Sequence, residues 1–360
     1  MRAAVLRNVG DTTLDLCDDV ELIDPGPGDV LVEITHTGVC HSDLSVMNGT
    51  IPERSPVVLG HEGAGIVREV GGDVTSVSVG DHVIMVWSPP CGRCVFCLRH
   101  KRPNLCADLQ FGIMLRRQFR LGESELASFC GVGTFAERTV VPEQAVVRID
   151  PSVPLEAAAL VGCGVMTGVG AALNTAKVAP GSSVVVFGVG GVGVAAIQGA
   201  RVAGAAEIVA VDRNPAKLDV ARSFGATDAV LPDDLDAAKA NLTEGQGFDY
   251  ALECIGSPAT MRAAYDAVRR GGTCCIVGVG RMEEQVIFNA FELFFSEKTL
   301  VGSYYGGADV RVDFHRMLRL AASGQLDLQG MIDRRIRLED VNDAIDALRN
   351  GEVVRQVIEL

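Results

Sequence analysis

Residues Ser182 to Asp212 read SSVVVFGVGGVGVAAIQGARVAGAAEIVAVD. Val184 to Phe187 is a short apolar, β-branched run of the kind buried on both faces of a parallel sheet. It leads into Gly188-Val189-Gly190-Gly191-Val192-Gly193, a G-x-G-x-x-G that opens directly into a helical run ending near Gly204. Ile208 to Val211 supplies a second strand, with Asp212 at its carboxyl end. Gly188 permits the tight turn, Gly190 lets the backbone approach a pyrophosphate, and Gly193 lets the helix pack on the strand. The helix start then offers free N–H groups to the anion. Asp212 follows Gly193 by 19 residues, where a carboxylate takes both ribose hydroxyls of NAD and repels the 2′-phosphate of NADP.

Outward from this unit, strands and helices alternate: Ala229 to Leu231, Tyr250 to Cys254, Cys274 to Val277 and Thr299 to Ser303. With the first two they make six strands, enough for a doubly wound parallel sheet, so this part is α/β. The residues before about 150 are short β-rich pieces cut by Gly and Pro: Ala3 to Leu6, Val30 to Thr35, Gly65 to Val70, His82 to Val86, Phe135 to Val141. Their spacing predicts a compact, barrel-like β domain. The tail after Tyr305 reads as a helix (Phe314 to Ser323), an extended piece (Arg334 to Arg337), a helix (Val341 to Asn350) and a strand (Val353 to Glu359) that returns to the first domain.

A chain of 360 residues exceeds what one core usually holds. Its formal charge of −14 argues against nucleic acid and anionic membrane as partners. Ala157 to Ala176 is uncharged and long enough to span a bilayer, but its glycines, Asn and Thr residues fit a buried helix better. MRAAVLRNVGD has no apolar signal core, and the cytoplasm is the expected location. In that compartment clustered cysteines, among eleven, point to metal rather than disulfides. Cys91, Cys94, Cys97 and Cys106 fall within sixteen residues and can close a tetrahedral Cys₄ zinc shell of the structural type. Their flanks Arg93, Arg99, His100, Lys101 and Arg102 are those of an exposed loop. Cys40 in GVCHSD, His61 in GHEGAG and Cys163 in GCG are individually ordinary.

Together they carry a resemblance. The pattern G-H-E-x-x-G-x-x-x-x-x-G-x-x-V stands as Gly60, His61, Glu62, Gly65, Gly71 and Val74, and with the features above the chain resembles a zinc-dependent alcohol dehydrogenase of the medium-chain dehydrogenase/reductase family along essentially its whole length. The resemblance implies a GroES-like catalytic domain over 1–164 completed by 305–360, and a Rossmann NAD-binding domain over 165–304. It implies two zinc ions per chain. Cys40, His61 and Cys163 would hold the catalytic one with a fourth position open, the Cys₂His set already known for alcohol dehydrogenases. Cys91, Cys94, Cys97 and Cys106 would hold the structural one. Glu62 would sit behind the catalytic metal and Asp43 would orient His61. His41 and Arg355 would contact the pyrophosphate, Asp212 and Lys217 the adenosine ribose, and Thr167 and Val192 the nicotinamide.

An alcohol is too weakly acidic to ionise at neutral pH, yet hydride leaves its carbon readily only from something close to an alkoxide. A Lewis acid lowers that pKa, and Ser42 is placed to accept the proton and pass it to the NAD ribose. The expected reaction interconverts a primary alcohol, aliphatic or benzylic, and its aldehyde with NAD. Oxidation of a thiol–aldehyde adduct or a polyol is the alternative, and a zinc-thiolate redox sensor the non-enzymatic one. Three departures from the family pattern stand out. Ser45 occupies a position where many members complete the proton relay with His; Cys106 follows Cys97 by nine positions, against the usual eight; and Ile51 replaces the Asp of members that oxidise the formaldehyde–glutathione adduct. Trp87 falls where a bulky aromatic flanks the reacting carbon, and Tyr304 ends the last sheet strand on the pocket side. The segment from Asp108 to Gly133 is of the kind that tetrameric members of the family shorten, so the resemblance implies a homodimer, with a homotetramer as the alternative.

Overall fold

The computed structural model describes all 360 residues. The chain divides into two units, one formed by Met1–Gly164, Asp309–Ala321 and Leu328–Leu360, the other by Val165–Ala308 and Ala322–Asp327.

The second unit is built on six parallel strands: β1 (Ser183–Phe187), β2 (Glu207–Val211), β3 (Asp228–Val230), β4 (Phe248–Glu253), β5 (Val268–Ile276) and β6 (Thr299–Gly302), in the order β3-β2-β1-β4-β5-β6. Central β1 pairs with β2 on one side and β4 on the other, so Val184, Val185 and Val186 are buried on both faces. This is why the strand reads as an uninterrupted apolar run instead of an alternating one. Strand order reverses between β1 and β4, which opens a crevice at their carboxyl ends. Helix α1 (Gly191–Val202) starts there. Val185, Phe187, Val209, Phe248 and Tyr265 form the core of one face.

The first unit contains two β layers. Its longest strand, Asp29–Val39, pairs with Glu62–Val70, with Arg138–Pro142 and with the C-terminal strand Arg355–Glu359. The tail therefore returns to this sheet. A second sheet runs in the order Asp15–Cys17, Ala3–Leu6, Val57–Val58, Ser124–Ser128, Phe119–Leu121, Glu21–Leu22. Only Asp18, Asp19 and Val20 join its first and last strands, and a chain advances at most about 3.6 Å per residue. Its two edges consequently curl toward each other.

Element types follow the sequence, and the boundaries shift for identifiable reasons. The strand expected to end at Thr35 continues to Val39, because Thr37 and Gly38 pair both with Glu62–Gly63 and with the C-terminal strand. The strand expected from Phe135 begins at Arg138. Upstream of it the backbone serves the other sheet: the Ala4 N–H donates to the Phe135 carbonyl, and the Phe135 N–H to that of Leu59. The run from Leu155 to Thr175 is helical and passes the length and hydropathy test for a membrane span, but 89% of its most apolar window is buried inside the protein. It is a core helix, interrupted by π turns at Val161–Val165 and Ala171–Thr175.

Candidate metal centre and dinucleotide cradle

In the first unit the polypeptide brings together residues far apart in sequence. Cys40 caps the helix His41–Met47, His61 lies just ahead of the strand Glu62–Val70, and Cys163 sits in the π turn Val161–Val165. One ligand atom from each of Cys40, His61, Glu62 and Cys163 lies within 4.8 Å of all the others, and all four residues are buried. The fourth member, Glu62, is closer in than the sequence suggested.

Asp43 holds this cluster from behind. Fully buried, it accepts hydrogen bonds from the Cys40 N–H (3.0 Å, Oδ2) and the Gly60 N–H (3.0 Å, Oδ1), while Oδ1 lies 3.3 Å from His61 Nδ1. An Nδ1–H···Oδ1 bond leaves Nε2 as the imidazole lone pair. Nε2 is itself buried and has no hydrogen-bond partner. A buried nitrogen acceptor without a donor costs free energy unless something positive meets it. With two buried thiols beside it, the missing group is a soft or borderline divalent metal, and the donor set suits Zn²⁺.

Glu62 has a second neighbour that sequence reasoning did not foresee. Its Oε1 accepts from the Gly164 N–H and from Arg355 Nη2, each at 3.1 Å, and Oε2 has no partner. Arg355, expected at a pyrophosphate, is thus buried and paired with Glu62, with Nη1 3.4 Å from the Val39 carbonyl. Burial pushes the Glu62 carboxyl up to about 7, against the pull of Arg355. Two glycines make room for the pair. A Cβ on Gly38 would lie 2.2 Å from Glu62 Oε2, and one on Gly164 1.7 Å from Arg355 Nη2.

Two aromatic rings stand against the His61 imidazole. Phe129 meets the His61 ring edge-on at 5.0 Å between centroids and Trp87 does so at 6.5 Å. No sequence motif marks Phe129. Ser42 Oγ lies 3.7 Å from Cys40 Sγ, and Ser45 is buried on the same short helix. His41 is exposed at the start of that helix. Ile51 packs, half-buried, against the core of this unit.

The second cysteine group also closes up. Cys94 Sγ is 3.6 Å from Cys97 Sγ and 3.8 Å from Cys106 Sγ. Four sulfurs about 2.3 Å from a central zinc stand about 3.8 Å apart. The N–H groups of Arg93 and Cys94 point at Cys91 Sγ (3.4 and 3.2 Å), and that of Cys91 points at Cys106 Sγ (3.2 Å). Such donors favour thiolates. Burial and the neighbouring Cys94 thiol push Cys97 up to about 12, which a bound cation would reverse. The chain between Cys97 and Cys106 makes a tight turn at Pro103–Leu105 just before the last cysteine.

In the second unit the glycine turn is as tight as its spacing requires. Gly188 has φ +91°, and a Cβ on Gly193 would lie 1.7 Å from the Gly188 carbonyl oxygen. The Cβ position of Gly190, by contrast, has nothing within 4 Å and leaves room for a pyrophosphate. Asp212 is fixed by the N–H groups of Val189 (2.8 Å) and Asn214 (2.9 Å). Lys217 is buried in the helix Ala216–Ser223. Gly168 packs on the Val192 carbonyl, which brings Thr167 beside Val192, and the buried Thr167 hydroxyl has no partner. Tyr304 lies just beyond β6, partly exposed.

Residues 26–151 match the family described as alcohol dehydrogenase GroES-like domain, and residues 191–323 match zinc-binding dehydrogenase. The chain is 42% identical to an S-(hydroxymethyl)glutathione dehydrogenase of Synechocystis sp., over 99% of both chains. The chain belongs to the zinc-dependent alcohol dehydrogenases of the medium-chain dehydrogenase/reductase family. An Escherichia coli S-(hydroxymethyl)glutathione dehydrogenase is also 42% identical, over 94% of this chain and 95% of its own. Among solved structures, benzyl alcohol dehydrogenase from Acinetobacter calcoaceticus superposes with a TM-score of 0.91 at 30% identity, covering 100% and 99% of the two chains. This zinc-dependent dehydrogenase is accordingly an NAD-dependent oxidoreductase with two zinc ions among its cofactors.

Proposed function

We propose that the enzyme interconverts small primary alcohols, aliphatic or benzylic, with their aldehydes. The observation that carries this reading is the pair of aromatic walls, Trp87 and Phe129, set edge-on to the His61 ring whose Nε2 is free. Flat aromatic surfaces beside the reacting centre accept a methylene or a benzyl group and crowd a doubly substituted carbinol carbon. Cys40, His61 and Cys163 hold the catalytic zinc, and Cys91, Cys94, Cys97 and Cys106 the structural one. Bound at the first set, zinc would supply the Lewis acidity that lets an alcohol ionise near neutral pH. Ser42 takes the alcohol proton, Asp43 keeps His61 in the tautomer that ligates, and Glu62 tempers the charge of the site from behind. On the NAD side, Gly188, Gly190, Gly193 and Val192 form the cradle. Asp212 and Lys217 bind the ribose, Thr167 bounds the nicotinamide, and His41 and Arg355 contact the pyrophosphate. Tyr304 borders the substrate.

The enzyme forms a homodimer through its second unit in this reading. Strand β6 is an edge strand with one side unpaired, and Phe291, Phe294 and Phe295 on the neighbouring helix Ala290–Ser296 are 67%, 78% and 52% exposed. An apolar edge of that kind calls for a cover. Eleven free cysteines fit the reducing cytoplasm.

The names of the curated relatives favour a second reading, oxidation of a thiol–aldehyde adduct. Ile51, half-buried against the core where adduct-oxidising members place a carboxylate, weighs against it. The two readings separate on NADH formation by zinc-loaded enzyme with ethanol, benzyl alcohol, a matched secondary alcohol and S-(hydroxymethyl)glutathione. Highest kcat/KM on the primary and benzylic alcohols supports the first. A clear preference for the adduct would establish the second.

A further inference from the structure

The turn that brings Phe129 to His61 has a shape that its own residues do not all favour. Cys130, Gly131 and Gly133 have φ of +52°, +72° and +54°, so the backbone is left-handed at three places just after Phe129. Glycine visits that region freely, whereas a cysteine does so only at a cost. The two glycines are also packed tightly. A Cβ on Gly131 would lie 2.4 Å from Ile113 Cγ1, on the helix Ala107–Met114, and one on Gly133 2.7 Å from Phe119 Cε2. A turn of this kind keeps its shape only where its surroundings determine it.

Gln118, which the proposed chemistry does not use, supplies a large part of those surroundings. Its side chain is fully buried. Nε2 donates to the Gly131 carbonyl and Oε1 accepts from the Ser128 hydroxyl, each at 2.9 Å. One amide therefore grips the chain on both sides of Phe129 and Cys130. Beyond the turn, the Thr134 N–H donates to the Gly60 carbonyl at 2.9 Å, which ties the same loop to the residue beside His61. Neither side-chain bond of Gln118 goes to a metal ligand.

We propose that Gln118 is a positioning residue that sets substrate specificity, by fixing the Phe129 ring against the His61 imidazole at 5.0 Å between centroids. The position must donate to a carbonyl and accept from a hydroxyl at once, which an amide does and a carboxylate or an aliphatic side chain does not. Losing the amide leaves the Gly131 carbonyl and the Ser128 hydroxyl buried without this partner, and a turn already strained at Cys130 then relaxes. The inference rests on the reading of Phe129 as a wall that crowds a doubly substituted carbinol carbon. It adds the group that holds this wall in place.

The test is the ratio of kcat/KM for benzyl alcohol to that for 1-phenylethanol, which carries one more methyl group on the carbinol carbon, with zinc-loaded enzyme and NAD. A smaller folded or metal-loaded fraction cancels from this ratio, so a merely structural role leaves it unmoved. Gln118→Leu should lower it about 10-fold, within the range that one methyl group is worth in a fitted pocket. Phe129→Ala should lower it at least as far, and adding Gln118→Leu to Phe129→Ala should lower it no further, because nothing is left to position. Ser128→Ala removes one of the two bonds and should move the ratio in the same direction, so it carries the test if Gln118→Leu does not fold. An unchanged ratio in these variants overturns the proposal, as does an effect of Gln118→Leu that multiplies with that of Phe129→Ala. Wild-type enzyme that oxidises neither alcohol refutes the alcohol reading instead. A crystal structure of Gln118→Leu or Ser128→Ala then decides the role of Gln118: a displaced Phe129 ring supports it, and a ring still edge-on to His61 at the wild-type separation overturns it.

Discussion

Replacing Asp43 by Asn should cost both metal affinity and stability. The carboxylate accepts two backbone N–H bonds, at 3.0 Å each, and faces His61 Nδ1 at 3.3 Å. An amide supplies only one acceptor oxygen. If that oxygen faces Gly60 and His61, the NH₂ group confronts the Cys40 N–H, leaving a buried donor unsatisfied at about 1–3 kcal/mol. If it turns the other way, His61 loses its acceptor and the ligating tautomer is no longer enforced. Either way the negative charge behind the imidazole is gone. Removing such a partner typically weakens metal binding 10- to 100-fold, about 1.4–2.7 kcal/mol. Asp43→Asn should therefore lose one of its two zincs to a competing chelator at roughly a tenth to a hundredth of the chelator concentration that strips the wild-type site. kcat should fall in parallel, with the KM for NAD unchanged. The structural zinc provides an internal control in the same titration. Loss of the catalytic zinc at the same chelator concentration as in wild type, with kcat within about twofold of wild type, would refute the assignment of Asp43 as the group that positions His61.

Other outcomes follow from individual contacts. Gly193→Ala places a Cβ 1.7 Å from the Gly188 carbonyl, so the glycine turn must open by an ångström or more, and kcat/KM for NAD should fall on the order of 100-fold with zinc content intact. Retention of wild-type NAD kinetics would remove the turn from the cofactor site. Cys97→Ser should reduce bound zinc toward one per chain and loosen the backbone around the already exposed Arg99 and Lys101, so that trypsin cuts there rapidly. A variant lobe as resistant as wild type would mean the cluster does not organise it. His36 is half-buried, and burial depresses its pKa, with Glu156 and Glu359 opposing. The unfolded chain then takes up a proton below its ordinary value of 6.5 that the folded chain refuses, so this group removes stability as pH falls through 6.5 toward the folded value. Denaturant midpoints of wild type should drop between pH 7.5 and pH 5.5 by more than those of His36→Gln; an equal drop would contradict the burial of this imidazole.

What the sequence settled by itself was whatever is encoded within a few turns of chain. The glycine turn, its helix and Asp212 lie in one continuous stretch, and a valine run flanked by such a turn has few alternatives to a central parallel strand. The four clustered cysteines needed only a short loop to close. The boundaries of Asp29–Val39 and Arg138–Pro142 could not be read in the same way, since strand length there is set by partners far along the chain. The other metal centre belongs to the same class. Cys40, His61 and Cys163 are unremarkable locally, and only the resemblance grouped them before the fold did.

Tertiary structure alone decided how that centre is held and walled. The Glu62–Arg355 pair spans nearly the whole chain, and it exists because the C-terminal strand pairs with Asp29–Val39, bringing Arg355 beneath the site. Phe129 reaches His61 from a turn with no motif, and Gly38 and Gly164 are glycines for the sake of a carboxylate and a guanidinium distant in sequence. Local sequence fixes backbone preference and periodicity, which act over a few residues. Desolvation of a carboxylate, the orphaning of an imidazole nitrogen and the clearance around a side chain arise only when separate strands pack together, and these are the properties on which the chemistry rests.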